Sequence, residues 1–422
     1  MTSIASKHDY VAALYEARRR TLELVVDLSD EEMIGPRLAI VNPLRWEIGH
    51  VAWFQEYWVL RHLCGRDPIL GNGDALYDSA KVAHDTRWDL PLPTKAQTID
   101  YMTKVIERIG SIQPRSKDAA YFLALVLFHE DMHGEAVTYT RQTLGRPAPK
   151  LTLALSNQPT PDQNIQGDAF VPGGSFTLGN TSDDDFVFDN EQRAFEVFVQ
   201  PFEISRTATT NGDFAKFVED AGYKRRELWS DEGWKWREAT NAEHPVYWSF
   251  KDGTWWRRNF DQIVPLDENH PVLHVNWYEA EAYCRWAARR LPTESEWEMA
   301  ASSSDGKRRF PWGDEAPTAA RANLDSSNVG TTDVRALPDG DSAFGCRQMI
   351  GNVWEWTASD FTPYPGFVAG PYKEYSEPWF GNHKVLRGGC WATRSRLISN
   401  TYRNFYLPDR RDVWAGFRTC AL

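Results

Sequence analysis

Apolar residues recur at helical spacing through the first third of the chain. In residues 8–28 they include Val11, Leu14, Leu22 and Val25, with charged residues between them, as in an amphipathic helix with one buried face. The same spacing, with start and stop residues at the ends, predicts further helices at about 43–63, 94–110 and 117–144. Four such helices with one long connection predict a bundle whose core can hold a metal site.

The pattern changes after residues 146–168, a segment rich in Pro, Thr, Asn and Gln without a sustained period, as expected for a linker. Beyond it, short strand-like runs alternate with isolated helices and many turns. The predicted strands lie at 174–178, 194–198 and 202–204, and the predicted helices at 211–221 and 277–288. We therefore expect a helical domain at 1–145, a linker at 146–168, and a loop-rich α+β domain at 169–422.

The composition suits a two-domain protein without a nucleic-acid or membrane partner. A chain of 422 residues exceeds the size at which a single core stops growing, about 250–300 residues, and suits two domains. A formal net charge of −12 argues against a nucleic-acid partner or an anionic membrane surface. The sequence has no long apolar run and no leader-like N-terminus. We expect a cytoplasmic protein without a membrane partner, and the sequence makes no prediction of oligomeric state.

The strongest chemical signal is a pair of histidines in the fourth predicted helix. His129 and His133 lie four residues apart, after an apolar run at 122–128. Because residues at this spacing share one helix face, both can bind one ion at a buried level. His50, on the apolar side of the second helix, can supply a third imidazole from across the bundle. The alternative for each histidine is an ordinary core residue, and the pair with Glu130 also matches the H-E-x-x-H signature of zinc peptidases.

Three neutral imidazoles leave a bound ion its full +2 charge and open coordination positions. Such a site suits redox-active iron, copper or catalytic zinc. The ligand type alone does not select one of these metals.

Several longer motifs carry a resemblance to a known family. The first part has Trp46, His50 and Trp53 followed by His129-x-x-x-His133. The second part has Val171-Pro-Gly-Gly-Ser-Phe, Pro271-Val-Leu-His-Val-Asn-Trp, Arg290-Leu-Pro-Thr-Glu, Gly351-Asn-Val-Trp-Glu-Trp and Leu386-Arg-Gly-Gly-Cys-Trp. Together they resemble the ergothioneine-biosynthesis sulfoxide synthases, over nearly the whole chain. The resemblance implies a DinB-like four-helix bundle followed by a C-type-lectin-related, formylglycine-generating-enzyme-like domain.

The resemblance also implies a reaction. In this family three histidines, here His50, His129 and His133, hold iron(II), and the enzyme uses O2 to join a sulfur atom to the imidazole of hercynine, a trimethylated histidine. It implies that Asn404 and Phe405 bind hercynine, with the aromatic face toward the quaternary ammonium. A tyrosine of the second domain is expected to deliver a proton or an electron. The unranked candidates are Tyr364, Tyr372, Tyr375 and Tyr406.

Departures from the family pattern concern the chalcogen donor. Relatives that use γ-glutamylcysteine have an aspartate where this chain has Tyr406, and a glutamine where it has Met132. Arg410 and Arg411 match an arginine pair of the family, and Arg87 lies where relatives place a donor-binding arginine. A surface or inter-domain ion pair is the alternative for all three. The residue sequence around His50, taken together with these departures, is most similar to that of the selenoneine synthase branch, whose donor is a selenosugar.

Other classes of function stay open at this stage. A sulfur-specific enzyme with cysteine or γ-glutamylcysteine as donor differs only in donor choice. A zinc peptidase would use Glu130 as its base, and a non-catalytic lectin-like binding protein would leave the histidine pair without a purpose. Formylglycine-generating chemistry is disfavoured, because the stretch Ala392–Thr401 contains no cysteine.

Overall fold

The structure, a computed structural model, describes residues 9–112, 116–152, 160–162, 165–182, 186–303 and 306–422. The chain divides into two compact units: Met1–Thr152 with Ser182–Val187, and Leu153–Thr181 with Phe188–Leu422. The short segment Ser182–Val187 therefore belongs to the first unit, although it follows the boundary expected from the sequence. Residues 153–159 and 163–164 of the expected linker lie outside the described residues.

The first unit is helical. Its helices are α1 (Tyr10–Glu23), α2 (Leu44–Gln55), which continues as a π-helix (Glu56–Leu63), the short α3 (Gly73–Tyr77), α4 (Lys95–Gly110) and α5 (Lys117–Thr143). Side-chain caps fix three of the starts: Asp9 on α1, Thr94 with Gln97 in a capping box on α4, and Ser116 on α5. The four main helices match the sequence prediction, except that the first ends at Glu23 rather than at residue 28.

Helix α5 forms the centre of the bundle. It packs against α1 and α2, while α2 also packs against α4. The apolar turns of α5 before His129 are core, with Leu123 and Val126 fully buried. This burial places the following histidine inside the bundle rather than on its surface.

The second unit is built from small sheets and short helices. Its strands are β1 (Asp168–Val171), β2 (Gly174–Leu178), β3 (Phe195–Val199), β4 (Phe202–Ser205), β5 (Trp248–Lys251), β6 (Thr254–Asn259), β7 (Gln262–Pro265), β8 (Arg289–Arg290), β9 (Trp354–Asp360), β10 (Lys384–Arg387), β11 (Asn404–Tyr406), β12 (Ala415–Gly416) and β13 (Cys420–Ala421). Its helices are α6 (Asn211–Glu219), α7 (Asp231–Thr240), α8 (Trp277–Trp286) and α9 (Glu294–Ala300).

The strands pair in four groups within the described residues. Two four-stranded sheets have the orders β1-β4-β13-β8 and β11-β10-β9-β12, β2 and β3 form a hairpin, and β5, β6 and β7 form a meander. All pairs are antiparallel except β12 with β9. The sequence prediction included β2, β3 and β4 but missed the meander, because most of its residues are exposed or half-buried and show no alternation.

The core of the second unit combines tryptophans with buried ion pairs. Five of the largest fully buried side chains there are Trp297, Trp354, Trp356, Trp391 and Trp414. Three arginine–glutamate pairs are buried among them: Arg387 with Glu298, Arg403 with Glu294, and Arg418 with Glu355. Among the described helices of the chain, none combines the length and the apolar character needed to cross a membrane.

Candidate metal centre

Three histidine side chains of the first unit meet inside the bundle. His50 lies on α2, and His129 and His133 lie on α5. The ring nitrogens that they offer all lie within 4.8 Å of one another. His50 and His129 are each 2% exposed, whereas His133 is half-buried. Three converging imidazoles of which one reaches toward solvent form a candidate metal site with an accessible side.

Neighbouring rings hold His129 in place. Its Nε2 lies 3.1 Å from the Nε2 of His133, one helical turn away. The ring of Phe54 stacks on His129 at a centroid distance of 3.6 Å and an interplanar angle of 7°. The stacked ring comes from α2, so the packing of α2 against α5 sets the orientation of this imidazole.

His50 is oriented by the end of α3. Its Nδ1 lies 2.7 Å from the carbonyl oxygen of Tyr77. Because a carbonyl only accepts, Nδ1 carries the proton and Nε2 keeps its lone pair. Gly49 permits this approach, since a Cβ there would lie 2.4 Å from the Tyr77 ring. Trp46 stacks on His50 at a centroid distance of 4.7 Å, so the tautomer and the ring plane of His50 are both fixed.

His133 is oriented by a buried carboxylate. Its Nδ1 lies 2.6 Å from Oε1 of Glu47, a residue of α2 that is 4% exposed. The carboxylate accepts, so Nδ1 donates and the lone pair of His133 stays on Nε2, facing His129. The second carboxylate oxygen of Glu47 accepts from Nδ2 of Asn42 at 2.6 Å. This carboxylate–histidine arrangement is common behind metal-binding imidazoles.

Burial keeps the imidazoles in the form that binds metals. Burial and the neighbouring His133 lower the pKa of His50 to about 3, and the same causes lower the pKa of His129 well below its ordinary value. For Glu47, burial opposes the charge, but His133 and His50 outweigh it and hold the pKa of this carboxyl below its usual value. At neutral pH the site therefore offers neutral His50 and His129 beside an ionised Glu47.

Glu130 has a structural role that the H-E-x-x-H pattern did not predict. Its carboxylate accepts hydrogen bonds from Arg18 Nε at 2.9 Å, from Thr21 Oγ1 at 2.8 Å and from Gln55 Nε2 at 2.6 Å. A carboxylate that is ion-paired and occupied in this way is a poor general base. The arrangement argues against the zinc peptidase alternative.

Arg87 lies beside the centre. Its guanidinium stacks on Trp46, 3.8 Å from the ring centroid, and donates to Oδ1 of Asn42 at 2.7 Å and to the carbonyl oxygen of Val82 at 3.2 Å. Its Nε is buried and has no hydrogen-bond partner among the residues that the structure describes. Met132, the other residue of this unit expected at the donor site, is half-buried and precedes His133 on α5.

The residues expected to bind hercynine lie on and beside β11 of the second unit. Asn404 and Tyr406 are half-buried, and Oδ1 of Asn404 accepts from the backbone N–H of Phe405 at 2.9 Å. Phe405 stacks on Phe361 at a centroid distance of 4.0 Å, so one face of its ring is already covered. Arg410 lies over the Tyr406 ring at 5.2 Å.

Both arginines after β11 have acidic partners within the second unit. Arg410 donates to both carboxylate oxygens of Asp412, each at 2.6 Å. Arg411 donates to Glu279 at 2.8 Å and to the backbone oxygen of His244 at 2.6 Å. These contacts match the ion-pair alternative considered for the two arginines.

The four candidate tyrosines have different surroundings. The hydroxyl of Tyr364 donates to Glu294 at 3.3 Å, and that of Tyr375 lies 3.1 Å from the hydroxyl of Tyr402. Burial raises the pKa of the Tyr364 and Tyr375 phenols well above the ordinary value. Tyr364 is buried, whereas Tyr372, Tyr375 and Tyr406 are half-buried, and the rings of Tyr372 and Tyr375 are 6.2 Å apart.

Sequence reasoning missed the residues that orient the histidines. An acidic residue almost one helical turn before a candidate ligand, as Glu47 is before His50, marks a candidate orienting group, although the histidine that Glu47 contacts lies on α5. The contact from Tyr77 had no such signal, because its acceptor is a backbone carbonyl that any residue carries.

The fold and the site define a class of protein: a helical bundle with a three-histidine metal site, joined to a loop-rich α+β unit. The DinB superfamily matches residues 13–137, and the sulfatase-modifying factor enzyme 1-like domain matches residues 154–421.

Curated relatives define the family more narrowly. A hercynine oxygenase of Mycolicibacterium thermoresistibile is 37% identical over 99% of this chain and 96% of its own length, and one of Mycobacterium tuberculosis is 36% identical over 98% and 99%. A formylglycine-generating enzyme of Thermomonospora curvata is 31% identical over 62% of this chain and 95% of its own length. The chain belongs to the hercynine oxygenase family.

Proposed function

We propose that this protein is a non-haem iron(II), O2-dependent enzyme that joins a chalcogen atom to the imidazole of hercynine. One observation carries the proposal: the ring nitrogens of His50, His129 and His133 converge within 4.8 Å inside the bundle. The two relatives named hercynine oxygenases cover nearly the whole chain and support the same substrate.

The donor set fits iron(II). Hydrogen bonds to Nδ1 fix the tautomers of His50 and His133 and leave Nε2 as the ligand atom of each. Three neutral imidazoles leave positions for other ligands, and iron(II) held there would supply O2 binding and one-electron chemistry. Trp46 and Phe54 cover the buried imidazoles of His50 and His129 and keep water from that side.

The second unit is proposed to hold hercynine and to move a proton or an electron. Asn404 would hydrogen-bond the substrate, and the ring face of Phe405 that Phe361 leaves uncovered would meet the quaternary ammonium. One of Tyr364, Tyr372, Tyr375 and Tyr406 would deliver the proton or electron. The hydrogen-bonded phenols of Tyr364 and Tyr375, whose pKa values are raised, hold their protons strongly.

The finer proposal is a selenium donor, a selenosugar, which makes the protein a selenoneine synthase. Arg87 would donate from its unpartnered Nε, and Arg410 would also contact the donor. Tyr406 offers no carboxylate to the ammonium group of an amino-acid donor, and Met132 offers no amide, which favours a donor whose polar groups are sugar hydroxyls. The alternative is a sulfur donor, cysteine or γ-glutamylcysteine, as in an ergothioneine-type sulfoxide synthase.

A competition assay tests both levels of the proposal. The full chain is reconstituted with iron(II) without oxygen, then given hercynine, O2, a selenosugar and a thiol donor together, and the products are read by mass spectrometry. We expect the selenium-containing imidazole in excess. A sulfur product alone would replace the selenium proposal with the ergothioneine-type reaction, and no product from either donor would refute hercynine chemistry altogether.

A further inference from the structure

A chain of hydrogen bonds connects His133 to Arg87. Nδ1 of His133 donates to Glu47 at 2.6 Å, and the other carboxylate oxygen accepts from Asn42 Nδ2 at 2.6 Å. The carbonyl oxygen of Asn42 accepts from Arg87 NH1 at 2.7 Å. Two side chains, a carboxylate and an amide, thus lie between a candidate metal ligand and a buried guanidinium.

The partners at its two ends fix the orientation of the Asn42 amide. Its NH2 group faces a carboxylate, which only accepts, and its oxygen faces a guanidinium, which only donates. The reversed orientation would set donor against donor and acceptor against acceptor. Asn42 therefore joins Glu47 to Arg87 by two hydrogen bonds of fixed polarity.

The carboxylate of Glu47 determines how strongly His133 binds a cation. A negative charge at Nδ1–H draws the proton away and makes Nε2 a stronger donor to a metal. The charge of Arg87 opposes this effect, because it polarises the Asn42 amide and strengthens its hydrogen bond to Glu47. The influence of Glu47 on His133 is therefore greatest when Arg87 binds another group instead of Asn42.

We propose that Glu47 is a positioning residue of the metal centre, and that Asn42 couples it to Arg87. Binding of the chalcogen donor to Arg87 would then weaken the hydrogen bond from Arg87 to Asn42. The carboxylate of Glu47 would in turn accept more strongly from Nδ1 of His133 before the reaction. The link to the donor rests on the proposed function, whereas the link between Arg87 and the metal ligand does not.

Cobalt(II) binding to the full chain tests the role of Glu47 without catalysis. We expect Glu47→Gln, which removes the charge but keeps the shape, to weaken cobalt(II) binding about 10- to 100-fold, as measured by competition with a chelator, and to shift the cobalt(II) absorption bands. Glu56→Gln is the matched control, because Glu56 is also buried, directly follows α2, and binds Tyr101 at 2.6 Å rather than a histidine.

Two outcomes separate positioning from general stability. Reduced affinity in Glu47→Gln with an unchanged control and an unchanged metal-free circular dichroism spectrum supports the proposal. An affinity within about twofold of wild type, with unshifted absorption bands, overturns it. Glu47→Asp adds a rescue test, since it keeps the charge, and its affinity should lie between those of wild type and Glu47→Gln.

A double-mutant cycle tests the coupling through Asn42. Glu47→Gln and Arg87→Met are combined, and their effects on cobalt(II) affinity are expected to be non-additive by at least about twofold. In an Asn42→Ala background the non-additivity should disappear. Additive effects in the first cycle, or coupling that persists without Asn42, would overturn the role of Asn42.

The donor is added last, as a selenosugar or as γ-glutamylcysteine, to the cobalt(II) protein. We expect it to shift the absorption bands of wild type and to leave those of Asn42→Ala unshifted. The same shift in both proteins would refute transmission through Asn42. Failure of the proposed reaction would appear instead as missing product in the iron assay, with the cobalt(II) affinities and the mutant cycle unaffected.

Discussion

The two units bury polar groups in different ways. In the second unit, Arg387, Arg403 and Arg418 each lie beside a buried glutamate. In the first unit, the Nε2 atoms of His129 and His133 lie 3.1 Å apart, with a third imidazole beside them. In the buried pairs each charge compensates its partner, so that loss of one partner destabilises the fold, whereas converging imidazole nitrogens suit a bound cation. Paired buried charges thus indicate a structural role, whereas the converging imidazoles of the first unit indicate function.

The largest expected effect is the loss of metal binding in His129→Ala. The substitution removes one of two imidazoles on α5, and the remaining His50 and His133 cannot chelate an ion from three sides. We expect metal content after dialysis and product formation to fall to background together. His62→Ala is the control, because His62 lies in the same unit, is exposed, and contacts the ring of Trp58 edge-to-face instead. A metal-loaded, fully active His129→Ala protein would rule out this site.

Breaking a buried ion pair in the second unit should destabilise the protein without removing a metal ligand. Glu298 and Arg387 are both fully buried, and their side chains form an ion pair. Glu298→Gln leaves the guanidinium without its closest counter-charge, and we expect the free energy of unfolding to fall by about 3–5 kcal/mol. Urea unfolding of the metal-free protein measures it. Glu281→Gln, at a surface pair with Arg285, should change the urea midpoint little. An equal fall in the midpoint for both variants would contradict the stabilising role of the buried pair.

The next effect is a pH dependence that arises in the second unit. Burial raises the pKa of Glu191 to about 7, from an ordinary value near 4.5. Between these values the unfolded state ionises and the folded state does not, so stability falls as pH rises from about 4.5 through 7 and then levels off. A shift of this size corresponds to about 3 kcal/mol at most.

Glu191→Gln isolates that contribution. The amide keeps a hydrogen-bond acceptor for Thr401, which donates to Glu191 at 2.7 Å, but it has no charge to bury. We expect the mutant to be more stable than wild type at pH 8 and similar at pH 4.5, in urea melts at both values. Equal stability differences at the two values would show that Glu191 is ionised when folded at neutral pH.

The sequence predicted the first unit better than the second for physical reasons. Helices repeat every 3.6 residues, so one apolar face reveals both the bundle and the shared face of His129 and His133. The meander β5–β7 has little buried surface and no alternation to detect, although Asp252-Gly253, both with positive φ, is a hairpin turn signal. Asn352, in a motif interpreted as structural, bonds to the backbone of Thr332.

The parts of the site that sequence did not predict depend on contacts between distant segments. Glu47 reaches His133 across 86 positions, and Arg18 reaches Glu130 across 112. Neither pairing follows from local spacing, and the H-E-x-x-H pattern suggested a different role for Glu130. A motif predicts which residues share a helix face, but the neighbouring helices decide which of them faces the ion.

The smallest expected effect is that of Glu130→Gln, and it contrasts with Glu47→Gln. Both glutamates are buried in the first unit, but Glu130 bonds to Arg18, Thr21 and Gln55 and not to a histidine. Loss of its charge should lower the free energy of unfolding by about 1–3 kcal/mol, because Arg18 then has a neutral partner. Metal affinity should stay within about threefold of wild type, since the ligands keep their contacts. If instead Glu130→Gln abolished a zinc-dependent peptide cleavage at unchanged stability, Glu130 would be a catalytic base, and the distinction between stabilising and functional buried charge would fail within the first unit itself.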